Sequence, residues 1–133
     1  MYLVDTNIVS EARRGRREAV GWLRSVDPAE IYLSVITVGE IVRGAELKRR
    51  SDPVAAENLL GWLNALRAHY GQRLLPISDA VAAEWGRLAA LRPRGDGDGL
   101  IAATAIVHDF IVVTRNVDDF ADTGASVINP WDI

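Results

Sequence analysis

The chain has 133 residues, of which 49% are hydrophobic and 25% are charged, and this size and composition are typical of one folded domain. It contains no cysteine, which excludes disulfide scaffolds, thiolate metal sites and cysteine nucleophiles. The formal net charge of −3 excludes the strongly basic type of nucleic-acid-binding protein, so any binding of nucleic acid must depend on local patches of cations. We therefore expect a single domain over residues 1–133.

The sequence carries no signal for secretion or for insertion into a membrane. The first residues lack a basic segment and reach Asp5 at once, unlike a secretory signal peptide. The most apolar stretch, residues 100–113, is interrupted by His108 and Asp109 and falls short of the roughly 20 apolar residues that a membrane helix needs. We expect a cytoplasmic protein without a membrane span.

Short apolar runs separated by segments of helical length predict buried strands. Each run is too brief to form a helix. The five runs cover residues 2–4, 31–33, 74–75, 111–113 and 127–128.

Three of the segments between these runs repeat apolar residues at the helical spacing i, i+3, i+4, i+7. The repeats are Val38/Ile41/Val42/Ala45, Leu59/Leu63/Leu66/Tyr70 and Val81/Trp85/Leu88. Their predicted boundary residues are Asp52 with Pro53, Gly71, and Ser78 with Asp79. Strands that alternate with helices favour right-handed crossovers and a parallel sheet covered on both faces. We therefore predict an α/β domain of three layers, α/β/α, around a mostly parallel five-stranded sheet.

Acidic residues follow several of the predicted strands. In parallel sheets, ligand sites lie beyond the carboxyl ends of the strands, so residues at these positions are candidates for a common site. Asp5 follows the first strand, and Glu40 lies in the helix after the second. Asp98 opens the helix before the fourth strand. The residues that follow the fourth strand are Asn116, Asp118 and Asp119.

Each of these acids also has a purely structural interpretation. Asp5 is a good residue to cap a following helix. The segment from Thr37 to Glu40 matches a capping box, in which the glutamate folds back onto the first turn. Asp98 fits an N-cap, and the two acids at 118 and 119 are common turn residues. The functional interpretation depends on all of these sites falling at strand ends of one sheet.

A cluster of carboxylates in one cleft predicts a hard divalent cation. Like charges repel, and a cation or bound protons must offset that repulsion. Ligands that are all oxygen favour Mg²⁺ or Mn²⁺ over zinc or copper. Such an ion leaves positions for phosphate oxygens and for a water whose pKa it lowers. This chemistry is typical of phosphodiester hydrolysis.

Five segments, in the same order and over nearly the whole chain, resemble PIN-domain ribonucleases of the VapC toxin type, from bacterial toxin–antitoxin pairs. The most specific is the pair formed by residues 98–105, DGLIAATA, and residues 113–120, VTRNVDDF. The other segments are residues 3–7 (LVDTN), 33–41 (LSVITVGEI) and 129–131 (NPW).

This resemblance implies a PIN-like fold and a Mg²⁺- or Mn²⁺-dependent endoribonuclease with Asp5, Glu40 and Asp98 as metal ligands. In some relatives a fourth ligand is an aspartate directly after Thr-Arg, where this chain has Asn116. The fourth acid would then be Asp119 or Asp118, or would be missing. The residues implied to support the carboxylates are Thr6, Asn7, Thr114 and, in an outer position, Asp96.

The resemblance also implies partners. Members of this family usually pair into homodimers through their helices, and a VapB-like antitoxin holds them inactive in a larger assembly, with its tail near the acidic cleft. The implied substrate is RNA, attacked at a phosphodiester bond by metal-activated water.

Arginines supply the local cations that an acidic protein needs to bind RNA. Every cation except Lys48 is an arginine, and the guanidinium group suits phosphate oxygens. The alternative is a solvated helix face, particularly near helix ends, where basic residues are favoured. The candidates for contacts to the RNA backbone are Arg13, Arg14, Arg43 and Arg115.

Three other functions are weighed against the ribonuclease. A receiver-like phospho-acceptor domain needs a lysine at the strand ends, and Lys48 falls in a predicted helix. A haloacid-dehalogenase-type phosphatase needs a second aspartate where this chain has Asn7. The third alternative is a catalytically degenerate PIN domain that regulates by binding RNA or a partner, which Asn116 leaves open.

Overall fold

The computed structural model describes residues 1–133 and shows a parallel five-stranded sheet. The strand order is β3-β2-β1-β4-β5, and every neighbouring pair is parallel. All five predicted strands are present, and the predicted fold class is confirmed. The strands are β1 (Tyr2–Val4), β2 (Ile31–Ser34), β3 (Leu74–Leu75), β4 (Ile111–Val113) and β5 (Val127–Ile128).

Six α-helices connect the strands and cover the sheet. The three predicted apolar repeats form α3, α4 and α5. The helix predicted before the fourth strand is α6, which begins at Asp96, two residues before Asp98. The structure adds two short helices, α1 and α2, between the first two strands. None of the helices combines the length and apolarity required to cross a bilayer. The helices are α1 (Thr6–Arg13), α2 (Arg17–Ser25), α3 (Val35–Arg49), α4 (Pro53–Tyr70), α5 (Asp79–Leu91) and α6 (Asp96–His108).

The two faces of the sheet form two separate hydrophobic cores. Leu3 and Val112 point into a core made with α5 and α6, whereas Val4 and Val113 point into a core made with α1, α2 and α4. Successive residues of a strand face opposite sides, so each strand contributes to both cores. The helical crossovers between parallel strands cover both faces of the sheet, and burial on both faces explains why its strands are continuously apolar.

The helix boundaries follow the predicted caps. The Asp52 side chain accepts a hydrogen bond from the Ala55 amide at 3.0 Å, and Ser78 accepts one from the Val81 amide at 3.2 Å. Gly71 ends α4 with a φ of 52°, a left-handed conformation in which glycine is favoured because it lacks a Cβ.

The start of α6 is fixed by close packing on α5. A Cβ atom added to Gly99 would lie 3.1 Å from Cδ1 of Trp85 and 3.4 Å from Cδ of Arg94. Only glycine allows this approach without displacing the tryptophan. The approach holds the first turn of α6, which carries Asp98, at the carboxyl edge of the sheet.

Candidate active site

Asp5 is a buried carboxylate at the carboxyl end of the central strand. Its amide donates to the Val113 carbonyl at 2.8 Å, which continues the pairing of β1 with β4, and only 5% of the residue is exposed. Oδ1 accepts from the Thr6 amide at 2.8 Å, so Asp5 does cap α1. Oδ2 accepts from Thr114 Oγ1 at 2.8 Å and from Asn7 Nδ2 at 3.3 Å. Capping therefore uses one oxygen only, and the other is held by the nearby Asn7 and by Thr114 from a distant segment.

Glu40 faces Asp5 from α3 and does not cap that helix. The capping-box interpretation is wrong because α3 begins two residues before Thr37, with Ser34 as its N-cap. Glu40 Oε1 instead accepts from Thr6 Oγ1 at 2.7 Å. Thr6 Oγ1 also lies 2.8 Å from Thr37 Oγ1, and since the one proton of Thr6 is given to Glu40, Thr37 is the donor in that pair. A chain of two hydroxyls thus orients the glutamate.

Asp98 reaches the same place from the first turn of α6. The N-cap of α6 is Gly95, so the interpretation of Asp98 as a cap is wrong. A Cβ added to Gly97 would lie 3.3 Å from Oε2 of Glu40, which shows how closely this turn approaches the glutamate. Asp96 belongs to the same turn and borders, with Glu40, a cavity of about 250 Å³.

The pKa values of these acids show that their charges interact. Burial raises the pKa of Asp5 to about 6, against the hydrogen bonds from Thr114 and Thr6, and the charges of Asp98 and Glu40 raise it further. Burial also raises the pKa of Asp98, followed by the charges of Asp119 and Glu40 and by a hydrogen bond shared with Asp119. Four carboxylates from separate elements therefore repel one another across one cleft.

The residues of this cleft fit a hydrated hard cation. None of the four carboxylates takes part in a salt bridge, so their charge is not balanced within the protein. No three acidic or histidine side chains form a closed metal cage in this conformation. Mg²⁺ needs no such cage, because it usually takes one or two carboxylates directly and keeps several waters.

Comparison with known proteins places this arrangement in a family. The sequence profile described as "PIN domain" matches residues 2–125. The chain belongs to the PIN-domain family. Its relatives include toxin FitB of Neisseria gonorrhoeae, which is 34% identical over 140 residues covering 98% of this chain and 99% of that protein. The VapC ribonuclease Y4jK of Sinorhizobium fredii is 34% identical over 143 residues covering 99% of each chain.

Solved structures agree with this assignment along the full length of the PIN domain. The crystal structure of FitAcB from Neisseria gonorrhoeae superposes with a TM-score of 0.85 at 32% identity and covers 100% of both chains. The structure of FitAB bound to an IR36 DNA fragment gives a TM-score of 0.81, also at 32% identity, and covers 100% of this chain and 97% of that one. The strand order also differs from the order 2-1-3-4-5 of flavodoxin-like domains, which excludes the receiver-like alternative.

Three residues after β4 are candidates for the fourth position beside the PIN-domain carboxylates: Asn116, Asp118 and Asp119. Asp118 and Asp119 belong to a short 3₁₀-helix, Val117–Phe120, that follows β4. Asn116 precedes it, and its amide donates to Thr114 Oγ1 at 3.0 Å. Of the three, Asp119 is the residue whose charge acts on Asp98.

The predicted RNA-contacting arginines are divided among three cavities around the acidic cleft. Arg13 and Arg14 border a cavity of about 460 Å³ whose lining also includes Glu40. Arg43 borders the smaller cavity beside Asp96. Arg115 borders a cavity of about 420 Å³ on the opposite side, next to Asp119. Its amide donates to Asn7 Oδ1 at 3.4 Å.

Sequence reasoning missed an ion-pair cluster behind Asp98 and Asp119. Arg94 donates from Nη1 to Asp122 Oδ1 at 3.1 Å and from Nε to the Leu88 carbonyl at 3.3 Å, and Arg92 donates to the same aspartate oxygen at 2.9 Å. The two arginines hold the pKa of Asp122 well below its usual range. We call Arg92, Arg94 and Asp122 the arginine clamp. It ties the loop before α6 to the segment after β4, and residues this far apart in sequence give no local signal.

Proposed function

We propose that this chain is the toxin of a toxin–antitoxin pair, an endoribonuclease that depends on Mg²⁺ or Mn²⁺ and hydrolyses RNA phosphodiester bonds. The observation that carries this proposal is the proximity of Asp5, Glu40 and Asp98. Thr6 forms hydrogen bonds with Asp5 at 2.8 Å and with Glu40 at 2.7 Å, and the turn that carries Asp98 approaches Glu40 closely, since a Cβ on Gly97 would lie 3.3 Å from Oε2. Full-length relatives named as a toxin and as a ribonuclease support it. A single catalytic unit over residues 1–133 is part of the proposal.

In this proposal Asp5, Glu40 and Asp98 hold the divalent ion, with Asp119 as a fourth acid beside Asp98. When bound, the ion lowers the pKa of an attacking water and offsets the negative charge that develops on the phosphate. The polar side chains of the site keep the carboxylates in place, since partners of metal ligands fix their orientation. These supporting residues are Thr6, Asn7, Thr37 and Thr114, with Asp96 and Asn116 at the rim.

The proposed partner is a VapB-like antitoxin. Structures that resemble this chain include a toxin–antitoxin complex from Klebsiella pneumoniae and FitAB bound to DNA. Homodimer formation and a larger assembly with the antitoxin belong to the same proposal. Since the substrate is RNA, the cytoplasm is the expected place of action.

The test compares two aspartate-to-asparagine variants with the parent chain, each purified free of antitoxin. Total RNA is incubated with each protein in Mg²⁺, in Mn²⁺ and in EDTA. We expect cleavage by the parent chain in either metal, none in EDTA, and none by Asp5→Asn. The control is Asp109→Asn, because Asp109 is exposed and has a φ of 57°, a conformation that asparagine also adopts.

Two results would contradict the proposal in different ways. Equal cleavage by the parent chain and Asp5→Asn would refute the role of Asp5. Metal binding and RNA binding without cleavage by the folded parent chain would favour the catalytically degenerate regulator instead.

A further inference from the structure

A cavity of about 460 Å³ between α1, α3 and α4 opens directly from the acidic cleft. We call it the α1–α3–α4 cavity. Thr6 and Glu40 line one end of it, and Arg13, Lys48 and Trp62 are also in its lining. Its volume lies within the range of about 300–1,000 Å³ that is typical of small-molecule sites, and a single nucleotide is a ligand of this size.

Two cations in this cavity have no acidic partner. Neither Arg13 nor Lys48 forms a salt bridge, although the neighbouring Arg14 pairs with Glu11 at 3.3 Å. The guanidinium carbon of Arg13 lies 5.4 Å from the centroid of the Trp62 ring. This contact restrains the long side chain in advance, so less conformational entropy is lost when the guanidinium binds a phosphate.

The remaining polar lining suits the uncharged part of a nucleotide. Ser10 and Asn58 line the same cavity as these cations and as the cleft residues Thr6 and Glu40. A hydroxyl and a carboxamide can each donate and accept hydrogen bonds, which matches the ribose hydroxyls and the edges of a base. Single-stranded RNA is the form of nucleic acid that exposes both groups.

We propose that the α1–α3–α4 cavity binds the nucleotide next to the scissile phosphate of a single-stranded RNA, an inference that rests on the proposed function. Arg13 and Lys48 contact its phosphate, and Ser10 and Asn58 contact its ribose or base. A polymeric substrate with one phosphate near Glu40 continues into an adjoining space, and Glu40 lines this cavity. An acidic peptide is the competing ligand, and it makes less use of Ser10 and Asn58.

The experiment measures binding of a fluorescein-labelled ten-nucleotide RNA of mixed sequence by anisotropy in Mg²⁺. All proteins carry Asp5→Asn to prevent cleavage, and Arg13→Gln, Lys48→Gln or Arg24→Gln is added. Arg24 is the matched control, since it is exposed, forms no salt bridge and lines none of the cavities. All three variants change the net charge by the same amount.

We expect each cavity variant to weaken RNA binding about 5- to 10-fold at low salt. We also expect the slope of the logarithm of the RNA-binding constant against the logarithm of salt concentration to decrease in magnitude by about 0.7, which is the value for one lost phosphate contact on a single strand. Arg24→Gln should change affinity less than about 2-fold. In the catalytically intact chain, Arg13→Gln should raise KM for RNA and leave kcat nearly unchanged, because it removes binding that is equal in the ground and transition states.

Equal effects of Arg13→Gln, Lys48→Gln and Arg24→Gln would overturn the proposal, as would a parent chain that does not bind the RNA. Loss of binding to a polyglutamate peptide, with RNA binding unchanged, would assign the cavity to an acidic peptide. These results do not depend on cleavage. A chain that binds RNA through this cavity but never cuts it would refute the proposed function alone.

Discussion

The two sides of the acidic cleft are held in place by different kinds of interaction. On one side, Asp5 and Glu40 accept hydrogen bonds from neutral groups, mainly Thr6, Asn7 and Thr114; we call this the threonine side. On the other, Asp98 and Asp119 face each other without such donors and depend on the arginine clamp behind them; we call this the clamped side.

This difference shows two ways in which a protein can hold several carboxylates close together. Neutral donors keep buried carboxylates oriented without cancelling the charge that a cation needs. An arginine paired with one of these carboxylates would cancel that charge. The arginines of the clamped side instead form their ion pairs with Asp122, which joins the loop before α6 to the segment after β4. The threonine side should therefore control geometry, and the clamped side should control how closely two negative charges are held.

The largest expected effect comes from Asp98→Asn on the clamped side. Cleavage should fall more than about 100-fold, since even partners of metal ligands are worth about 10- to 100-fold. The same change should raise the melting temperature in EDTA, because it removes repulsion with Asp119 and Glu40. The control is Asp79→Asn in the first turn of α5, which should retain cleavage and lose a little stability through the helix dipole. A lower melting temperature of metal-free Asp98→Asn would contradict this prediction.

On the threonine side, Thr114→Val should lower cleavage about 10- to 100-fold. The substitution removes the 2.8 Å hydrogen bond to Asp5 Oδ2 and keeps the shape of the side chain. Thr104→Val is the matched control, because Thr104 is equally buried and donates at 2.7 Å to its own helix. Thr114→Val should lose more stability in denaturant titrations, because Thr114 Oγ1 also accepts from the Asn116 amide and from Asn7 Nδ2. Only Thr114→Val should lose activity. Equal activities would mean that Asp5 needs no such support.

The arginine clamp contains its own matched pair. The side chain of Arg94 is 3% exposed and that of Arg92 is 42% exposed, and both bind Asp122. Arg94→Gln should destabilise the fold by about 2 kcal/mol, since it removes a buried guanidinium group and leaves the Leu88 carbonyl without its 3.3 Å donor. It should also lower cleavage about 10-fold by loosening the clamped side. Arg92→Gln should lower the melting temperature less than Arg94→Gln, because Arg92 is exposed and solvent screens its ion pair. Similar melting temperatures for the two variants would contradict the prediction that the buried Arg94 stabilises the fold more than the exposed Arg92.

The last prediction concerns only stability, namely how the stability of the metal-free chain depends on pH. The pKa of Asp5 is about 6 in the folded chain and 3.8 in an ordinary aspartate, so the folded state binds the proton more tightly. The contribution of Asp5 to the free energy of unfolding in EDTA should be highest below pH 4. This contribution should fall by about 3 kcal/mol as the pH rises to 6 and above.

Denaturant titrations at several pH values check this sign. Asp5→Asn should flatten the decline between pH 4 and pH 6, and Mg²⁺ should offset it in the parent chain. The lowered pKa of Asp122 acts in the opposite direction but below pH 4, so the two contributions separate. Stability that rises through this interval would contradict the prediction.

The fold could be predicted because it follows from local patterns. Short apolar runs bounded by helical repeats have few ways to bury their surface, and a parallel sheet with helices on both faces is the simplest of them. The caps at Asp52, Gly71 and Ser78 were predictable for the same reason, since capping depends on a few neighbouring residues. Even the candidate acids could be proposed, because parallel strands bring their carboxyl ends to one edge.

Other features were decided only when the chain folded. The sequence from Thr37 to Glu40 does match a capping box, but Ser34 is the N-cap and the helix begins before Thr37. Glu40 therefore lies within the helix, where its side chain accepts a hydrogen bond from Thr6. The choice of Asp119 as the neighbour of Asp98 and the pairing of Arg94 with Asp122 join segments that are more than 20 residues apart. The local periodicity of apolar residues indicates which side of a helix or strand is buried. Contacts between side chains of different elements depend instead on how the crossovers pack. Only the tertiary structure shows that packing.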